Sequence, residues 1–300
     1  MQLFVRLALL LGLAAEAAGA IVGAPMVVKV GGTPLRLPEP AGFVRYDGKS
    51  GEVDQIGSNL SPSSNRILAA FGQASDLEEV ARSGFPELTR HFAAQANRSA
   101  ENVTFTAEAF AELQKALHAQ IDGLQNKTLP HFAVTEAMAC SVLSERLKSH
   151  VDVRLKLGAS FPLGVLAETR DSTSFSIMVK YAASGAALQE PVELTTVVGT
   201  CAMRVRDRLI YLYATSAYYD ASDTEWVQQQ LKSWRDDVLA ANAPGVVFAE
   251  PEPVGAMLPS RWTMQAVLRE RWVLIGGILG GVIAASILVV AIRHPRRKVW

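Results

Sequence analysis

Apolar and polar positions along the chain change their period more than once. Near the start, Met26–Val30 (MVVKV) predicts a short strand before a turn at Gly31-Gly32. A stretch rich in Gly, Ser, Asp and Pro follows from Pro38 to Asn65 and reads as loop. Arg66–Phe71 (RILAAF) and Leu88–Arg98 (LTRHFAAQANR) are expected strands. Phe110, Leu113, Leu117 and Ile121 then recur at i, i+3, i+7 and i+11, one face of a helix. Thr106 is its expected N-cap, and Glu108 stands well in the first turn against the helix dipole. A second helix is expected over Thr135–Leu147.

From Val151 the period drops to two. VDVRLKLG places Val151, Val153, Leu155 and Leu157 on one side and Asp152, Arg154 and Lys156 on the other, as in a half-buried strand. LGVLAETR, SFSIMVKYAA, VELTTVVGTCAMRVR and RLIYLYATSAYY follow as further strands, with the tightest turn at Asp207. Strands in sequence with short connections predict an antiparallel meander. A closing helix is expected from the capping box Ser222-Asp-Thr-Glu225, with Val227, Leu231, Trp234 and Val238 at helical spacing and Trp226 and Leu239 widening the stripe. Beyond it, residues 243–271 carry several prolines and no period, a semi-stiff spacer.

The ends are apolar in a different way. Trp272 to Ile292 holds no charge and no proline; as a helix it would span about 30 Å, the thickness of a bilayer core. Arg293, Arg296, Arg297 and Lys298 close it. At the start, Arg6 precedes a short apolar run and the small-x-small pattern Ala18-Gly19-Ala20, which predicts a secretory signal peptide cut after Ala20. The expected organisation is a signal peptide at 1–20, a periplasmic domain at 21–242, the spacer at 243–271, a transmembrane helix at 272–292 and a basic cytoplasmic stub at 293–300. The basic stub agrees with the positive-inside bias; Arg261, Arg269 and Arg271 on the other side weaken it, and the signal peptide decides the orientation. The expected fold class is α+β, an antiparallel sheet packed with helices, plus that transmembrane helix.

Composition narrows the functions. The formal charge is zero, so no electrostatic case exists for nucleic acid as partner. Two cysteines, Cys140 and Cys201, fall in the exported part and are a candidate disulfide, closing a loop of about 60 residues worth about 3–4 kcal/mol in the chain-entropy model; two separate buried thiols are the alternative. The alanine-rich, cysteine-poor style reads as bacterial, so the sequons at Asn97, Asn102 and Asn126 are read as chance matches.

Candidate chemistry is sparse. AGFVRYDGKS ends like a phosphate loop at Gly48-Lys49-Ser50, but Phe43 stands where glycine is required. Asp47, Ser50, Glu52 and Asp54 cluster without the spacing of a calcium loop. His91, His118, His131, His150 and His294 form no zinc pattern, there is no GxSxG elbow, and Asp236-Asp237 point different ways on a helix. No catalytic, cofactor-binding or metal-binding residues are assigned, and no cofactor is expected. Gly276, Gly277, Gly280 and Gly281 form two overlapping GxxxG units that favour packing against another membrane helix, of a copy or of a different protein.

The stretches LPEPAGFVRYDG, FPLGVLAETRDSTSFSIMVKY and DRLIYLYATSAYYDASDTEWVQQQLKSW, the last a long strand, a polar turn and a closing helix, resemble the Mog1/PsbP-like α/β family. The resemblance implies a binding or assembly module and supplies no active-site residues. The expected protein is a single-pass, membrane-anchored module on the outer side of a bacterial inner membrane, with an unknown periplasmic protein or ligand as partner. The alternative is a membrane-tethered hydrolase whose catalytic residues meet only in the fold.

Overall fold

The computed structural model describes residues 25–46, 64–76, 89–125, 154–184, 191–246 and 248. Along the chain these form β1 (Met26–Val30), β2 (Thr33–Leu37), β3 (Phe43–Arg45), β4 (Asn65–Gln73), β5 (Arg90–Asn97), α1 (Ala107–Gln125), β6 (Arg154–Thr169), β7 (Ser172–Ser184), β8 (Val192–Val205), β9 (Arg208–Ala217) and α2 (Ala221–Ala241). Seven strands make one antiparallel sheet in the order β3-β4-β5-β9-β8-β7-β6, and β1 and β2 form a separate hairpin.

This corrects the expected class. The described residues are mostly sheet, with two long helices, and no helix among them is long and apolar enough to cross a membrane. The physical reasons lie in particular segments. Pro34 interrupts the apolar pattern of β2, and β3 has only three residues, so neither strand shows a usable period; both nonetheless pair fully with a neighbour. The expected helix at Thr135–Leu147 and the expected span at 272–292 lie outside the described residues, as do 1–20 and 293–300.

The meander β6-β7-β8-β9 forms as expected. Its β8–β9 turn sits on Arg206 and Asp207, both with left-handed φ (49° and 61°), the backbone a two-residue hairpin needs to match strand twist. Arg204 ties two turns together. Its Nε and Nη2 reach Asp171 Oδ1 in the β6–β7 turn (2.8 and 2.5 Å), and its Nη1 reaches Asp207 Oδ1 at 2.6 Å. Where the sequence divides β6 into two pieces, the chain runs on as one strand. Register shifts between Leu157/Ala159, Pro162/Gly164 and Val165/Ala167 absorb the irregularity, with Gly164 at φ 103°. β6 is an edge strand, where Pro162 costs no ladder bond.

α2 and the β1–β2 hairpin cover the same face of the sheet. Val227, Leu231, Trp234 and Val238 pack with Leu35, Leu37, Phe71, Phe92, Cys201, Met203, Ile210 and Leu212 in one core. Phe71 and Phe92 meet Trp234 edge-on at 5.7 and 5.3 Å between ring centres, and Trp234 Nε1 donates to Pro38 O at 2.8 Å, which satisfies the indole inside the core. At Gly199 the helix approaches β8 so closely that an added Cβ would lie 2.8 Å from Val227 Cγ1 and 3.0 Å from Leu231 Cδ2. The cap of α2 is set two residues earlier than the sequence pattern suggests: Asp220 is the N-cap and Asp223 closes the box. Asp223 is buried and occupied on several sides, accepting from Arg90 Nη2 (3.0 Å), Tyr219 N (2.9 Å) and Ser216 Oγ (3.3 Å), while Arg90 also lies over the Trp226 ring at 4.5 Å.

α1 contacts β6. Its start follows the expected cap, since Ala109 N donates to Thr106 Oγ1 at 3.2 Å. Backbone N–H donation, then the Thr106 hydroxyl, holds the Glu108 carboxyl below its ordinary range. Gln114 anchors the helix at the β6–β7 turn through Thr169 O and Thr173 Oγ1, both at 2.8 Å, and His118 Nε2 pairs with Glu168 Oε2.

Candidate functional site

α2 crosses β8 and β9 and buries one stripe there. Its flank, Glu225, Gln228, Gln229, Lys232 and Arg235, faces the outer strands β6 and β7. These positions fall at i, i+3, i+4, i+7 and i+10, a second narrow stripe along the same helix. Between that flank and Leu166 and Ala167 of β6 and Ser174 of β7 lies an open groove of about 380 Å³. Leu166 is the residue left over at the Val165/Ala167 register shift, so the bulge in the edge strand supplies part of the wall. Gln228 Nε2 reaches Ser176 Oγ at 3.4 Å and links the helix flank to β7.

Arg235 is the unusual member. It is 5% exposed, although a cation on the flank of a surface helix ordinarily reaches water. Nε and Nη2 both donate to Asp236 Oδ1 (2.8 and 2.6 Å), and Lys232 Nζ lies 3.5 Å from Asp236 Oδ2. Nη1 is buried and has no hydrogen-bond partner. An unmade hydrogen bond on a charged buried group costs about 1–3 kcal/mol or more. The Ser174 hydroxyl is buried as well, and it stands in register with Cys201 across the β7–β8 ladder.

Chemically the polar lining of the groove is mostly donor groups, with Glu225 its one carboxylate. Burial pushes the Cys201 thiol up to about 12, against smaller opposing effects of Ser174 and the Arg235 charge; a catalytic cysteine needs the reverse shift. The lining residues include no histidine. The arrangement suits recognition of an acceptor group.

The opposite face of the sheet carries a buried polar layer. Thr173, Thr196, Thr200, Thr215, Tyr211, Tyr213, His91 and Gln95 lie on it, all 3% exposed or less. In register, Thr215 stands between His91 and Val198, and Tyr211 between Gln95 and Ala202. The hydroxyls of Thr196, Thr200, Thr215 and Tyr211 are buried and have no hydrogen-bond partner, and burial raises the Tyr211 and Tyr213 phenols above their ordinary range.

Of the residues singled out in the sequence, the structure places few. Cys201 lies fully buried in the core under α2 as a free thiol, whereas Cys140 lies outside the described residues. Ala18, Ala20, Gly276, Gly277, Gly280 and Gly281 lie outside them too, as do Gly48, Lys49 and the Asp47–Asp54 loop. His91 and His118 are on separate elements, and no group of three or more His, Cys, Asp or Glu converges among the described residues. Asn97 is buried and accepts from Ser99 N at 3.0 Å, a position no glycan can reach. Asp236 and Asp237 do not act together; Asp236 serves Arg235. The sequence pattern gives no sign of the groove itself. Arg235 stands in the polar run Arg235-Asp236-Asp237, which reads as a solvated helix face, and only the position one turn after Leu231 hints that it turns inward. No family model matches the chain, and no curated protein matches it.

Proposed function

We propose that the chain is a non-enzymatic binding or assembly module held on the outer side of a bacterial inner membrane, and that the groove between α2 and the β6–β7 pair receives its ligand or partner. One observation carries the binding part: a buried, unpartnered guanidinium N–H on Arg235, a residue that lines an open groove. Natural interiors rarely leave such a donor idle, and a bound acceptor is one way to satisfy it. The location rests on the apolar sequences at the two ends of the chain, and the resemblance to Mog1/PsbP-like proteins implies a binding or assembly role.

The test is a photo-crosslinking amino acid introduced at exposed positions in intact cells. At Gln229, on the groove, it gives a discrete adduct that disappears when Ala167→Phe fills the groove. At Asp122, on α1, it gives none. Equal adducts at both positions, or a Gln229 adduct indifferent to Ala167→Phe, would sink the groove as the binding site. An alkaline phosphatase fusion after Asn242 tests location: it is active outside the cytoplasm, and an inactive fusion overturns that part.

A further inference from the structure

We propose that this groove is a carboxylate-binding subsite. Lys232 Nζ and Arg235 Nη1 receive the carboxylate, and Leu166 and Ala167 line the path of the apolar chain that carries it. The proposal rests on the binding reading above and narrows it to one functional group.

The local charge selects the ligand. Near the far end of the groove stand two cations, Arg235 and Lys232, and one anion, Asp236. One positive charge is left uncompensated there. Glu225, which also lines the groove, lies seven residues from Lys232 and ten from Arg235 along α2, about 10 and about 15 Å at the rise of a helix, each beyond the Debye length of about 8 Å at physiological salt. A single negative charge balances the site; a phosphate dianion would bring a surplus, and a cation would be repelled. The free groups also have the right polarity. Asp236 occupies Nε and Nη2, which leaves Nη1 with its N–H donors unmatched. Ser174 Oγ and the amides of Gln228 and Gln229 complete a set able to donate to a second oxygen or to the atoms next to it.

The geometry orders the events. The Lys232 side chain is 66% exposed, so it meets an arriving anion first. Arg235 Nη1 is shielded in the unliganded chain, and seating the carboxylate requires a side-chain adjustment that opens it. The return is a charge-assisted hydrogen bond from a donor that was already desolvated. A volume of about 380 Å³ lies at the small end of the usual ligand range of about 300–1,000 Å³, which suits a short chain.

A carboxylate of this kind comes from a free aliphatic acid or from the C-terminus of a peptide. Calorimetric titration of the full-length protein in detergent separates them. The probes are sodium hexanoate and hexanamide, and acetyl-Ala-Ala-Leu as free acid and as C-terminal amide. The acid of one pair binds at least tenfold more tightly than its amide; preference for the peptide acid assigns the source to a peptide terminus, preference for hexanoate to a free acid. Lys232→Gln weakens the acid about threefold or more and Ala167→Phe abolishes binding, while both leave the Arg235–Asp236 pair in place and the tryptophan fluorescence of the fold unchanged. Arg235→Gln is the direct variant, with Arg235→Lys as its folded counterpart that keeps the charge and loses the planar donor set; both lose the preference for acid over amide. Equal binding of acids and amides, no binding of either acid, or binding unaffected by Ala167→Phe overturns the proposal. Acid–amide indifference together with an intact, groove-dependent Gln229 adduct overturns the carboxylate and leaves the binding reading; loss of the groove-dependent adduct removes both.

Discussion

The side chain of Asn242 occupies the place of a neighbouring strand beside Arg36. Its Oδ1 accepts from Arg36 N at 2.8 Å and its Nδ2 donates to Arg36 O at 2.7 Å, across 206 residues of sequence. The same Nδ2 caps α2 through Val238 O at 2.8 Å. One amide therefore joins the end of the last described helix to the open edge of the β1–β2 hairpin. The chain just after it stays near: Phe248 lies under the guanidinium groups of Arg36 (4.9 Å) and Arg206 (4.1 Å), so the stretch expected to be a spacer begins by packing against the domain.

Asn242→Ala removes the amide that Arg36 N and O bond at a partly buried place and is expected to cost about 1–3 kcal/mol. Asn242→Asp keeps the acceptor but loses both donations, so it lies close to the alanine variant. Denaturant unfolding followed by tryptophan fluorescence measures both; an aspartate variant as stable as wild type would show that the donations contribute nothing.

Gly199→Ala is expected to destabilise by about 1–3 kcal/mol, the usual cost of overpacking, because the new methyl meets Val227 Cγ1 and Leu231 Cδ2 at 2.8 and 3.0 Å. Pairing it with Val227→Ala removes one of the two clashes, so the double variant loses less than the sum of the singles. Strict additivity in the double-mutant cycle would contradict the close approach of helix and sheet.

Thr200→Val and Thr215→Val replace buried hydroxyls that have no partner with groups of the same shape. Each is expected to raise stability by about 1 kcal/mol, since the desolvation cost disappears and the packing remains. A loss of stability in either variant would mean that the hydroxyl is held by water or a ligand.

Alkaline pH is expected to weaken the fold. Burial holds Cys201 (from 9.0 up to about 12) and the Tyr211 and Tyr213 phenols protonated in the folded chain. Their folded-state values lie above the unfolded ones, so the unfolded chain releases protons first and stability falls with rising pH, by up to about 1.4 kcal/mol per pH unit for each group in its window. Nothing is lost below pH 9; the Cys201 contribution goes between pH 9 and about 12, and the phenols add to it above pH 10. In Cys201→Ala the fall begins near pH 10 instead. Unfolding midpoints at pH 8, 9.5 and 10.5 decide the matter.

Long periods were the legible part of this sequence. The stripe Val227, Leu231, Trp234 and Val238 marks α2, because that helix buries one face against a single core; the turn at Asp207 marks the last hairpin, and the apolar run RILAAF marks β4. Short elements, and the facing of doubly buried ones, are not legible. β3 is three residues long, and β8 is apolar on both faces through Val197 and Val198, so the sequence cannot say which face meets α2. The cap of α2 differs from the expected Ser222 because Asp220 suits the role as well, and only the path of the chain from β9 decides between them. The groove depends on two things no pattern encodes, the inward turn of Arg235 and the extra residue at Leu166.

The three register shifts in β6 have a consequence for how copies of this protein meet one another. A long edge strand with regular spacing is a template on which a second copy can dock its own edge and begin an open-ended stack. In β6 the spacing of donors and acceptors is broken at Leu157/Ala159, Pro162/Gly164 and Val165/Ala167, Pro162 has no N–H to offer, and Gly164 turns the backbone through φ 103°. No regular partner strand can match that sequence of interruptions over more than a few residues. Phe161, Leu163 and Val165 can therefore stand 46%, 39% and 39% exposed without seeding polymerisation, the same irregularity that shapes the groove wall acting as a stop on sheet growth.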